Sequence, residues 1–229
     1  MAKPKRITRK QLLKEPDEFI TTTGRIIQWG QQYARQLSIA GVSIAILLVV
    51  VTAYRYYDNW VENKAFVLLD EAVDKYETKK ASSDLMQAYQ STREDFEYLI
   101  RKYDSTDGGQ VAMFVFAGIS NDAGDADRAI ELYEAGLPYF KSDSIYRNFI
   151  LSGLGYAHEK IADVNKAVSY FRQIVDGSDP AVKDLALFNL GRLYQQLGDT
   201  EKSKEAYTRL TTDYAESIYY EVAREKVEG

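Results

Sequence analysis

The side chains able to do chemistry are few in this chain, and they are not grouped. No cysteine is present, which removes thiolate metal sites, cysteine nucleophiles and a disulfide framework while fixing no redox compartment. The one histidine, His158, lacks partners at the spacing of a metal site or a catalytic triad and reads as a core or groove side chain. Asp122, Asp125 and Asp127 look like calcium ligands, but the required alternation ending in Asp-Gly and the later bidentate Glu of a calcium loop are missing. They read as turn and cap residues. Gly153-Leu154-Gly155 lacks the third glycine and the preceding strand of a dinucleotide site, so its glycines are assigned to helix packing. With no Gly-x-Ser-x-Gly elbow and no phosphate loop, no catalytic residue, metal or cofactor is expected, and the chain is read as something other than an enzyme.

What the chain has instead is layout. Gln36 to Tyr54 runs QLSIAGVSIAILLVVVTAY, uncharged between Arg35 and Arg55. At a helical rise of ~1.5 Å per residue this stretch spans ~28 Å, close to the ~30 Å hydrocarbon core of a bilayer. Trp29 and Tyr33 precede it and Tyr54, Tyr56, Tyr57 and Trp60 follow it, where aromatic rings favour the headgroup level. Val51-Thr52-Ala53 offers small residues for a signal peptidase. Against cleavage, the leading segment is long and the apolar run exceeds the usual ~7 to 15 residues, so an uncleaved anchor is the better reading.

Charge orients that anchor. Residues 1–35 carry eight Lys or Arg against three acids, whereas residues 56–229 carry 20 against 31. The basic side is expected in the cytoplasm and the acidic domain outside, in a periplasm or an equivalent space. An acidic domain also argues against nucleic acid as a partner. The segment 1–35 reads as a basic tail ending in a short interfacial helix, with Thr21-Thr22-Thr23-Gly24 as a weak-helix interruption. The span covers 36–54, and 55–103 continues the membrane helix outward and adds a divergent first helical pair, with a polar pause from Lys79 to Ser83. The sequence Asp104-Ser105-Thr106-Asp107-Gly108-Gly109 is expected to form a loop, and 104–229 a run of helical hairpins.

Those hairpins repeat. AGDADRAIELY from Ala123, IADVNKAVSYF from Ile161 and LGDTEKSKEAY from Leu197 align, and their aspartates Asp125, Asp163 and Asp199 lie 38 and 36 residues apart. Gly124, Ala162 and Gly198 turn the chain between antiparallel helices, and the aspartate after each bonds free amides at the start of the second helix. Small residues Ala117, Gly155, Gly191, Ala129, Ala167 and Ser203 let paired helices approach. Phe116, Leu154 and Leu190 on one helix, with Tyr133, Phe171 and Tyr207 on its partner, fill the space left. The period indicates an all-α fold, a solenoid of helical hairpins after one transmembrane helix, with Ser217 to Val227 as a terminal helix covering the last repeat.

On Leu190-Gly191, Tyr194, Gly198-Asp199 and Tyr207, and less fully on Leu154-Gly155, Ala167 and Phe171, the sequence resembles the tetratricopeptide repeat family. The pattern departs at His158, which stands where the third repeat has Tyr194, and at Ser203, which stands where the family has alanine. The resemblance implies groove-facing positions at Phe114 and Asn121, at Phe149, Tyr156 and Glu159, and at Phe188, Arg192 and Gln195, and it implies proteins or extended peptides as partners.

The layout as a whole is similar to the bacterial YfgM family. That similarity implies a single-pass inner-membrane protein, N-terminus cytoplasmic, whose periplasmic repeats associate with the Sec translocon and pass exported chains to periplasmic chaperones. Two other classes stay open: a structural scaffold for an outer-membrane, cell-wall or pilus/secretion complex, and a tethered sensor or regulator.

Overall fold

The computed structural model describes residues 18–141 and 144–228. Among them lie α1 (Glu18–Gln32), α2 (Ala34–Ser82), α3 (Leu85–Lys102), α4 (Asp107–Ala123), α5 (Ala126–Gly136), α6 (Ser144–Lys160), α7 (Val164–Asp176), α8 (Lys183–Gln196), α9 (Thr200–Asp213) and α10 (Tyr220–Glu228), with no strand among the described residues. The basic tail expected over the first sixteen residues lies outside the described residues. The chain divides into two units, Met1–Asp58 and Asn59–Gly229.

In the first unit, α1 runs unbroken through Thr21 to Gly24, so the expected interruption does not form. No proline intervenes, and a glycine costs a helix only about 1 kcal/mol. Trp29 and Tyr33 sit at the end of α1 with ring centroids 5.4 Å apart. In the apolar part of α2, Leu37 to Val51, every large side chain is exposed. Two hydroxyls at the ends of that stretch bond to the helix itself: Thr52 Oγ1 donates to the Leu48 carbonyl at 2.7 Å and Ser38 Oγ to the Arg35 carbonyl at 2.9 Å, so neither presents an unmet donor to its surroundings.

The second unit is built on pairs of helices. The last part of α2 buries Ala65, Leu69, Ala72 and Tyr76 at helical spacing, the last three in a cluster with Tyr89, Phe96 and Leu99 of α3 and Phe116 of α4. The expected pause at Lys79 shrinks to Ser83 and Asp84. The helix persists to Ser82, where the Ser82 and Ser83 hydroxyls donate back to the Lys79 carbonyl, and Asp84 then caps α3 by accepting from the Gln87 amide at 2.8 Å.

The expected loop through Gly109 is also shorter, because Asp107, Gly108 and Gly109 form the first turn of α4. Thr106 Oγ1 caps it from the Gly109 amide at 3.0 Å, and the Glu62 carboxylate accepts from the Asp107 and Gly108 amides at 3.0 and 2.7 Å. A carboxylate at a helix N-terminus also meets the positive end of the dipole. Gly108 is required by proximity, since a Cβ there would stand 2.8 Å from the Ala65 Cβ. Gly108 serves helix packing, where the sequence suggests a turn, and Gly109 lets the first turn of α4 lie against the Tyr103 carbonyl.

Candidate functional site

The site rests on three hairpins, each closed by the same local chemistry. Gly124, Ala162 and Gly198 take left-handed backbones with φ of 94°, 62° and 75°. The following aspartates Asp125, Asp163 and Asp199 then accept from the amides of Arg128, Lys166 and Lys202 at 3.2, 3.2 and 3.1 Å, starting α5, α7 and α9. Asp125 also accepts from the buried Tyr89 hydroxyl at 2.7 Å. Burial and that bond push the Tyr89 phenol up to about 12.

Small residues set the spacing within the second and third pairs and between the first pair and the second. A Cβ on Gly155 would meet the Phe171 ring at 2.6 Å, one on Gly191 the Tyr207 ring at 2.6 Å, and one on Gly153 would run into the Tyr133 ring. All three aromatic rings are buried. Ser203 donates to the Gly191 carbonyl at 2.7 Å, so its hydroxyl does not leave a buried group unpaired.

With the pairs stacked, the first helices α4, α6 and α8 form one layer and the second helices another. Direct side-chain bridges join each layer. Between α4 and α6, the Phe114 and Tyr146 rings meet edge to face at 6.2 Å, and Lys160 Nζ donates to the Asn121 carbonyl. In the other layer, the Tyr170 hydroxyl donates to Glu134 at 3.3 Å.

Between α6 and α8 lies a polar tetrad. Asn189 Nδ2 donates to the Tyr156 hydroxyl at 2.9 Å, while Asn189 Oδ1 accepts from Arg192 Nη2 at 3.0 Å. The Arg192 guanidinium forks onto Glu159, with Nη1 on Oε1 and Nη2 on Oε2 at 2.6 Å. That carboxylate holds Arg192 still more firmly protonated. Burial raises the Tyr156 phenol, partly offset by the Asn189 donor.

The eight expected groove positions therefore fall into distinct environments. Tyr156, Glu159 and Arg192 are brought together in the tetrad. Phe188 is half-buried under Tyr219, with ring centroids 4.6 Å apart and nearly parallel. Phe114 packs on Tyr133 and Tyr146. Asn121 is half-buried, and its Oδ1 has no protein donor. Phe149 and Gln195 remain exposed. Asn189 and Tyr219 belong to this face although the family pattern does not point to them. The signal for Asn189 was its distance from Tyr156, 33 residues, the same separation as Glu159 from Arg192.

The terminal helix is shorter than expected. It starts at Tyr220, while Ser217 to Tyr219 form a turn held by Ser217 Oγ on Asp184 at 2.6 Å. Ala223 and Val227 join the last core, but Ile218 and Val222 stay exposed.

Residues 185–217 match the model of the tetratricopeptide repeat. The solenoid is similar to a tetratricopeptide repeat protein from Parabacteroides merdae ATCC 43184, at 16% identity and a TM-score of 0.55, over 70% of this chain and 59% of that one. It is also similar to a Podosopora anserina putative kinesin light chain with nearly identical TPR-like repeats, at 15% identity and a TM-score of 0.54, over 70% of this chain and 82% of that one. No curated protein matches the chain. At such identities the likeness establishes a tetratricopeptide-type fold, and such folds bind other proteins or peptides along stacked first helices. No group of three or more metal-ligating side chains gathers among the described residues. The face offers aromatic surfaces, an amide and a saturated ion pair, which suit recognition.

Proposed function

We propose that this chain is a single-pass protein of a bacterial inner membrane, N-terminus cytoplasmic, that holds protein partners along α4, α6 and α8 on the periplasmic side. The observation that carries the reading is the uncovered apolar run: Ile39, Ile44, Leu47 and Val49 are 58%, 58%, 61% and 68% exposed. A protein in water does not leave so long a contiguous apolar surface bare, whereas a bilayer supplies its cover. By length and composition, α2 is able to cross a membrane. The excess of Lys and Arg before Gln36 supports the cytoplasmic placement of the N-terminus.

The exposed Phe149 and Gln195 flank the tetrad and give a partner chain an apolar contact and an amide. Together with the similarity to the YfgM layout, this supports an accessory, chaperone-like role in protein export, beside the Sec translocon and upstream of periplasmic chaperones. A second reading, a scaffold in an envelope assembly complex, is favoured by the tetrad itself. Tyr156, Glu159, Asn189 and Arg192 saturate one another and Tyr219 lies on Phe188, so the face is preorganised for one folded partner.

Photocrosslinking amino acids placed at Phe149 and Gln195 in native membranes test both. A spread of exported chains with translocon subunits supports the export role, one folded envelope protein supports the scaffold, and no adduct from either position overturns partner binding on this face.

A further inference from the structure

His158 is 2% exposed, and neither ring nitrogen has a hydrogen-bond partner in the protein. Its ring lies nearly parallel on Tyr170, with centroids 5.3 Å apart. Tyr170, with Leu137, packs against both hydrophobic clusters of the solenoid, so the stacked pair sits where the two meet. The charged groups facing the imidazole are Asp163 and Lys166 from α7 and Glu134 from α5, the last holding the Tyr170 hydroxyl. Asp163 Oδ2 stands 3.8 Å from Nδ1, beyond hydrogen-bond reach. Asp163 Oδ1 accepts from the Lys166 amide, and Oδ2 also stands 3.6 Å from the Lys166 Nζ charge. The site therefore accommodates a neutral ring and offers an imidazolium no well-placed acceptor for either N–H.

We propose that His158 is an acid-operated latch: the neutral imidazole closes the joint between α6 and α7, and its protonation loosens that joint. Burial, aided by the Lys166 charge, lowers the affinity of His158 for a proton, against the opposing pull of Asp163 and Glu134. An opened hairpin exposes the ring and restores its ordinary value near 6.5. Closure is then at full strength above pH about 6.5 and weakens below it, by up to about tenfold in the closed-to-open ratio per pH unit, until the folded-state value is passed. Tyr156 and Glu159 lie on the same helix as His158, so acid reaches the proposed partner face through its scaffold.

Because the chain has one histidine, the test is free of overlap. The full chain in detergent micelles, labelled at His Cε1, gives one imidazole resonance. A titration midpoint below 6.5 is expected, and one at or above 6.5 overturns the latch. Urea unfolding of wild type and His158→Phe between pH 7.5 and 5.0 gives the second readout, with carboxylate contributions common to both. The wild-type midpoint is expected to fall further on acidification than that of His158→Phe, and parallel profiles overturn the proposal. His158→Gln, neutral throughout, replaces His158→Phe if that variant does not fold. Neither readout involves a partner, so failure of the partner-binding reading leaves this result distinguishable.

Discussion

Arg192 and Glu159, 33 residues apart in the chain, are joined by a forked guanidinium–carboxylate pair that ties α8 to α6. The Glu159 side chain is 23% exposed and that of Arg192 39%, so the pair is shielded enough to matter but open enough to be screened. Its geometry makes Arg192 part of the frame of the partner face as well as a candidate contact.

Arg192→Glu sets two carboxylates against each other beside Asn189. The expected loss is about 1–3 kcal/mol in urea unfolding. Adding Glu159→Arg to the same chain restores most of it. Unchanged stability in the single variant would show that the pair carries none.

Two aspartates in the same sequence pattern are expected to differ in cost. Asp199→Ala removes a helix cap, worth about 0.5–2 kcal/mol. Asp125→Ala removes a cap and leaves the Tyr89 hydroxyl, buried and donating at 2.7 Å, without its acceptor, which adds about 1–3 kcal/mol. Thermal and urea unfolding of the two variants are predicted to rank Asp125→Ala as clearly the less stable.

Gly191→Ala and Gly118→Ala separate packing from propensity. The first drives a Cβ to 2.6 Å from the Tyr207 ring, while the second meets only the Tyr133 hydroxyl at 3.6 Å. Overpacking predicts a loss of about 1–3 kcal/mol at Gly191. Helix propensity predicts a gain of up to about 1 kcal/mol at Gly118. Equal effects would contradict the close approach of α8 and α9.

Ala162 holds a left-handed backbone, φ 62°, where the other two repeats place glycine. An L residue there costs about 1–2 kcal/mol. Ala162→Gly is expected to stabilise the chain by about 0.5–1 kcal/mol, the relief of strain exceeding the added flexibility of the unfolded state. A drop in the urea midpoint would count against strain at this turn.

The repeats were legible because each hairpin spells its own turn. Glycine or alanine in the left-handed position and aspartate as cap are local statements that the structure keeps in all three hairpins, and in the second and third a glycine stands opposite a ring. Gly108 and Gly109 were misleading for the complementary reason. The meaning of Gly108 comes from Ala65 and Glu62 on another helix, which nothing adjacent in sequence records, while a Cβ on Gly109 would run into the Tyr103 carbonyl of the preceding turn. The side-chain contacts of the proposed partner face were partly legible. Tyr156, Glu159 and Arg192 follow from register, but Asn189 bridges them through a side-chain geometry that periodicity does not encode, and Tyr219 reaches Phe188 only because the chain turns at Ser217.

The measurement that bears most directly on an anchored solenoid uses the absence of native cysteine. Single cysteines at Arg25 and Lys204, both exposed, are probed with a membrane-impermeant maleimide in cells whose outer envelope has been permeabilised. The prediction is labelling of Lys204→Cys in these cells, whose inner membrane is still sealed, and of Arg25→Cys only after lysis. Equal labelling at both positions, or the reverse order, would contradict it.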